Sequence, residues 1–323
     1  MHIKNTIVAA LLLPVLATGT GACFTGVEST PRIKASDVRK QQAATLTPEQ
    51  LFLSEIAPLP PAQWPAGRRL LVASDRISLL FTSASDDASA LRGHVLDFTG
   101  FAPVRSLTGD DAVEASFVAD DGRRFFYRIP GFSPERLDTV PELAVPFTVD
   151  LDVVERIGQA ISGRHYYIRT PAWYDGASGD AVNGLRHVEV IVDSVAPGDE
   201  NFVAAVYFTV ADEALRRRAV PEGATRFVYM STGKSRAATR NFDTLFAFGN
   251  PRKSFPEIKD DVWNLIIASR VREGMSRDEC RLALGAPPTV DRVPTYMGMV
   301  ERWSYPDGVY MVFEDGYLTR FRQ

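Results

Sequence analysis

Thiols and imidazoles are the scarcest chemistry-bearing groups in this chain, with two cysteines and four histidines among 323 residues. Cys280 stands in GMSRDECRLALGAPP, residues 274–288, close to Arg277 and Arg281. A reactive thiol needs a helix N-terminus, a cationic neighbour or an adjacent base to lower its pKa. The arginines supply the second condition, but no histidine follows His187. Ser276 and Glu279 form an S-x-x-E capping box, and Gly285 with Pro287-Pro288 ends the segment. Cys280 therefore falls inside a short helix, where its expected role is that of a small buried apolar residue.

The histidines beyond the leader are His94, His165 and His187, and none has the H-x-x-x-H spacing of a metal pair. His165 and His187 lie on expected strands and would meet if those strands were neighbours. No G-x-S-x-G elbow accompanies them, although a triad need not be local in sequence. STGKS, residues 231–235, lacks the upstream glycine of a phosphate loop, since Val228 stands in its place. The acidic pairs Asp86-Asp87, Asp110-Asp111 and Asp120-Asp121 sit at expected turns and are too sparse for calcium. No metal or cofactor site is expected.

Two groups of residues point to binding. Tyr166, Tyr167, Trp173 and Tyr174 would line an aromatic groove. Between Arg216 and Lys253 nine basic residues face only Glu222 and Asp243, and Arg216, Arg217, Arg218, Arg236 and Arg240 are the candidates for contact with an anionic envelope surface or acidic partner. The bland reading of this stretch is a solvated face. A net charge of −4 gives no overall attraction to nucleic acid.

Residues 1–22 have the layout of a secretory signal. Lys4 precedes the apolar run Ile7 to Gly19, and small residues lead to Cys23. The run is shorter than the roughly 20 residues of a spanning helix. The approach to Cys23 resembles the lipobox of bacterial lipoproteins, which implies a diacylated Cys23 at the mature terminus. Thr20 stands where that motif carries an aliphatic residue, so cleavage after Ala22 without lipidation is the alternative. Residues 23–62 read as an extended tether, polar and proline-rich at PLPPAQWP, with a short helix capped by Thr47 and opened by Pro48.

Residues 63–148 and 149–250 read as two β-rich modules. Arg68 to Ser74, Ile77 to Ser83, Ala115 to Asp120 and Arg123 to Ile129 fit strands, with Asp121-Gly122 as a hairpin turn. Arg164 to Thr170, Arg186 to Val195, Phe202 to Val210 and Thr225 to Ser231 follow. ALRGHVLDFTG parallels AISGRHYYIRT, and RRFFYRIPG parallels TRFVYMSTG, which suggests repeated small antiparallel barrels or sandwiches. Val153, Val154, Ile157 and Ile161 share one face of a joining helix.

Residues 251–323 read as two helices and a three-stranded antiparallel meander turned by Asp307-Gly308 and Asp315-Gly316. The first helix is expected to run to Gly274. The stretch GMSRDECRLALGAPP…ERWSYPDGVYMVFEDGYL resembles the SmpA/OmlA (BamE-like) outer-membrane assembly lipoprotein family, through the G-M-S start, Leu284-Gly285-x-Pro287, Glu301-x-Trp303-x-Tyr305 and Gly308-x-Tyr310-x-x-Phe313-x-x-Gly316. The resemblance implies an α+β domain without catalytic residues that supports other proteins at the outer membrane. The long β-rich region departs from that family.

Together these features predict an α+β chain held by lipid at the outer membrane or in the periplasm of a Gram-negative bacterium. It would act by contact with an envelope protein or cell-wall polymer. The alternatives are an envelope hydrolase built on His165 or His187 and a peptidoglycan-binding module, because bacterial Src-homology-type barrels look like the repeated units.

Overall fold

In the computed structural model, residues 46–105, 111–129, 132–232, 240–295 and 298–323 are described. Cys23, the leader, Lys234 and Arg236 lie outside the described residues. Among the described residues no helix is long and apolar enough to cross a membrane. The fold is mixed α+β, dominated by antiparallel sheet. The expected barrels are not found: the chain forms three open sheets, each over its own apolar cluster.

Helix α1 (Pro48–Leu51) starts as its sequence demands, with a Thr47 capping box and Pro48 in the first turn. Phe52, Leu53 and Ile56 then pack against the core of the second sheet, and Trp64 is buried in the first. Part of the stretch expected as tether is thus docked by its apolar residues.

The first sheet holds β1 (Arg69–Val72), β2 (Val95–Arg105), β3 (Asp111–Ala119), β4 (Arg124–Ile129) and β5 (Thr148–Asp150) in the order β4-β3-β2-β1-β5. The expected strand at Ile77 to Ser83 is instead a 3-10 helix over Asp75–Leu80, started by the Ser74 hydroxyl accepting from the Arg76 amide. That local cap competes with strand pairing, and Ile77 is buried from the helix.

Helix α2 (Leu151–Ile161) leads to the second sheet. Asp150 caps it by accepting from Asp152 and Val153, and Val153, Val154, Ile157 and Ile161 are its buried face, as the spacing requires. Each such aliphatic contributes about 1.5–3 kcal/mol on burial. The sheet contains β6 (His165–Ile168), β7 (Ala172–Asp175), β8 (Ala181–Asn183), β9 (Val188–Pro197), β10 (Ala204–Val210), β11 (Arg226–Met230) and β12 (Phe246–Ala247). Their order is β12-β6-β9-β10-β11-β7-β8. Helix α3 (Glu213–Ala219) follows β10, and α4 (Phe242–Leu245) precedes β12.

The two halves of the suspected repeat share a glycine turn into a strand, at Gly93 (φ +90°) and Gly163 (φ +74°). Beyond that they diverge: one strand separates β2 from β4, whereas two separate β6 from β11.

The C-terminal unit pairs α5 (Asp260–Ile267) and α6 (Arg277–Leu284) with β13 (Thr289–Thr295), β14 (Gly298–Ser304), β15 (Tyr310–Glu314) and β16 (Tyr317–Arg322), hydrogen-bonded in sequential order. The sheet has four strands, not the three expected. The extra one, β13, is an edge strand with Pro294 in it and with Val290 and Val293 exposed, so it lacks a one-sided apolar pattern. Helix α5 also stops earlier than Gly274, because Ser269 takes φ +54°. Gly274 (φ +86°) serves the turn into α6 instead. There the Ser276–Glu279 capping box is complete, with both reciprocal bonds formed.

Candidate functional site

The outer face of the second sheet carries the most organised set of exposed side chains. Along β9, Val188, Val190 and Val192 point into the core, which leaves Glu189, Ile191 and Asp193 outside. A bulge between Tyr207 and Phe208 then restores the alternation: Phe208 and Val206 lie opposite Val192 and Val195, and Tyr207 stays on the outer face.

Tyr207 faces Phe227 across β10 and β11, and Phe227 faces Tyr174 across β11 and β7. Three rings on adjacent strands thus form one row, with centroids 5.1 and 5.3 Å apart. Tyr229, two residues along β11, touches Tyr174 at 4.8 Å, and Phe202 stacks on Tyr229 at 5.3 Å with an interplanar angle of 20°. Such spacings give each ring pair about 0.5–1.5 kcal/mol beyond burial. Phe227 is buried beneath its neighbours, while Tyr174, Phe202, Tyr207 and Tyr229 are half-exposed.

Arg240 borders this plate. Its Nε donates to the Tyr229 carbonyl at 3.0 Å and its Nη2 to the Ala172 carbonyl at 3.1 Å, which fixes the guanidinium 5.5 Å from the Tyr174 ring and 5.8 Å from Phe202. Asp199 accepts from the amides of Asn201 and Phe202 and so holds the loop that delivers Phe202. Burial, aided by the charge of Asp199, raises the Tyr229 phenol above its ordinary pKa, so the ring stays neutral and its hydroxyl remains a donor. Phe202 also lines a cavity of about 270 Å³ between the first two sheets, together with Trp64, Arg68, Glu142 and Asp150. Arg68 is buried there against Asp150 and beneath Trp64, 4.0 Å from its ring, and its Nη1 has no partner among the described residues.

The four aromatic candidates from the sequence separate by face. Tyr167 and Tyr174 are outside, but Tyr166 is 3% and Trp173 0% exposed, packed into the core. Trp173 rests on Gly184, where an added Cβ would come within 1.9 Å of the indole, and donates to the Thr170 carbonyl at 2.9 Å. The groove as first drawn is therefore absent, because consecutive strand residues point to opposite faces. Phe202, Tyr207, Phe227 and Tyr229 complete the plate instead. Their strands alternate in sequence, but only the pairing of β11 with β7 brings Tyr174 to them.

Arg216, Arg217 and Arg218 are exposed on α3, and Arg217 pairs with Glu213. Among the described residues no contact joins them to the rings. Of the basic candidates among the described residues, Arg240 is the one placed at the plate.

His165 and His187 do not meet. His165 is on the outer face, its Nδ1 donating to Glu189 at 2.9 Å, and Tyr167 reaches the same carboxylate at 3.4 Å. His187 (φ +55°) donates from Nε2 to the Leu282 carbonyl at 3.0 Å, and burial lowers its pKa. His94 lies near Asp120 and Asp121, at 2.6 and 3.7 Å, where ligand atoms of the three fall within 4.8 Å of one another. These groups are largely exposed and Asp121 is already paired with Arg123 at 2.6 Å, so solvent and an arginine satisfy them.

Cys280 is fully buried, and burial pushes its thiol up to about 12. A thiol so protonated is no nucleophile at neutral pH. Comparison with protein-family models, with curated proteins and with solved structures finds no match to this chain.

Proposed function

We propose that this protein is a non-catalytic binding protein of the bacterial envelope, tethered by a lipid on Cys23, and that the aromatic plate on its seven-stranded sheet holds a cell-wall glycan. The observation that carries the reading is the row Tyr207–Phe227–Tyr174, widened by Tyr229 and Phe202. A sugar ring has an apolar C–H face and a hydroxyl edge. Flat half-exposed rings suit the first, and the Arg240 guanidinium, the phenols and the Asp193–Thr209 pair (2.9 Å) at the border suit the second.

A protein partner is the second reading, since Tyr, Phe and Arg are also enriched at protein interfaces. The exposed large aliphatic side chains, such as Leu79, Val293 and Met299, lie outside the plate. The helix-pair and sheet unit, read as SmpA/OmlA-like, serves in this view as a supporting body. The leader-like residues 1–22 and the small residues before Cys23 support the tether.

Sedimentation with insoluble peptidoglycan tests the reading. The wild-type chain is expected to co-sediment, and Tyr174→Ala/Tyr229→Ala to lose at least about ten-fold in affinity, or ~1.4 kcal/mol. Equal retention of both chains, or capture only by an envelope protein, overturns the glycan assignment. Cys23→Ser should release the protein from membranes, and unchanged fractionation contradicts the anchor.

A further inference from the structure

A second cavity, about 590 Å³ in volume, lies where the seven-stranded sheet meets the helix pair. Three guanidinium groups line it, Arg169 from the end of β6, Arg186 from the approach to β9 and Arg281 from α6, against the single carboxylate of Glu49. In a chain with net charge −4 this concentration of positive charge runs against the average. Glu49 and Arg169 feel each other's charge, and Arg281 pairs with Asp278 at 2.8 Å.

Arg186 is different. Its Nη1 donates to the carbonyls of Ala283 (3.0 Å) and Leu282 (3.3 Å) at the end of α6, and no carboxylate reaches it among the described residues. Its buried Nε has no partner among the described residues. Burial lowers its pKa from the ordinary arginine value, which reflects the cost of holding this charge out of water. A half-buried guanidinium with spare donors and no counter-ion is an incomplete pair, and the missing half is an anion.

We infer that this cavity binds a phosphate ester, with Arg186 as the central donor and Arg169 and Arg281 at its sides. The volume falls within the roughly 300–1,000 Å³ of small-molecule sites and exceeds what a lone phosphate fills, so the anion carries an organic group. Arginine suits phosphate because its planar fork matches two oxygens. The ester has two possible sources, a soluble metabolite or the headgroup of an anionic phospholipid.

Calorimetric titration of the full chain carrying Cys23→Ser separates them. One arm uses sn-glycerol 3-phosphate, the other vesicles of phosphatidylglycerol with phosphatidylcholine vesicles as control. Saturable binding of the soluble probe assigns a soluble ester, and binding to phosphatidylglycerol vesicles alone assigns the headgroup. In either case Arg186→Gln should weaken binding at least about ten-fold. Arg186 also ties the sheet to α6, so Arg169→Gln/Arg281→Gln provides a second variant that leaves those carbonyl bonds in place. No binding in either arm, or unchanged affinity in variants with the wild-type circular dichroism spectrum, overturns the inference.

Discussion

The outer face of the seven-stranded sheet and the C-terminal unit use the same residue types to opposite ends. In the C-terminal unit Trp303 is fully buried, its Nε1 donating to Glu301 at 2.5 Å, and Glu301 also accepts from Arg292 at 2.9 Å. Tyr305 donates to the Gly285 carbonyl at 2.9 Å behind α6, and burial raises its phenol to about 12. These buried polar groups are spent on holding the unit together. On the sheet, rings and an arginine of equal chemical capacity stay half-exposed and touch mainly one another. The contrast teaches that residue type alone does not mark a site. What marks it is capacity left over after the fold has been satisfied.

The comparison breaks first at Glu301. Glu301→Gln should cost about 1–3 kcal/mol in chemical denaturation, because the amide keeps one acceptor for the buried Trp303 Nε1 but loses the charge that faces Arg292 and Arg277. Burial pushes the Glu301 carboxyl up, but the Trp303 and Arg292 hydrogen bonds and the Arg277 charge together hold it below its ordinary range. A carboxyl depressed in the folded state stabilises above its unfolded pKa and loses that contribution as pH falls through the folded value. Near-ultraviolet circular dichroism of Trp303 should therefore hold at neutral pH and weaken as pH falls below the ordinary carboxylate range.

Next, Gly184→Ala should destabilise the second sheet by about 1–3 kcal/mol through the clash with Trp173, read by thermal unfolding. Removing the plate rings should be milder for the fold. Tyr174→Ala/Tyr229→Ala is expected to lose about 0.5–1.5 kcal/mol of ring contact while abolishing most glycan retention. Replacing Arg216, Arg217 and Arg218 by Gln should leave both stability and retention within about 0.5 kcal/mol of wild type, since these side chains project from α3 without contact to the rings.

Local signals in the sequence were read accurately where one element suffices. The α2 face, the Ser276–Glu279 cap, the Asp315-Gly316 turn and the burial of Cys280 each depend on neighbours a few residues apart. The plate was half legible. The sequence marks Tyr174 within one aromatic cluster and Arg240 within a separate basic stretch, but that cluster also takes in Tyr166 and Trp173, which point inward because adjacent strand residues alternate in direction. Phe202, Tyr207, Phe227 and Tyr229 were missed because their proximity to Tyr174 follows from β11 pairing with β7, a contact between strands some 50 residues apart that no local pattern encodes. Period-2 alternation would have sorted inward from outward rings. The pairing order was out of its reach. Strand β13 escaped for a related reason, since an edge strand exposed on both faces has no apolar stripe to read.

Backbone hydrogen exchange with and without a soluble peptidoglycan glycan fragment tests the central claim most directly. Slowed exchange in β7, β10 and β11 and in the loop carrying Phe202, with β13 to β16 unchanged, is the predicted result. Protection confined to the C-terminal sheet, or none anywhere at saturating fragment, would contradict it.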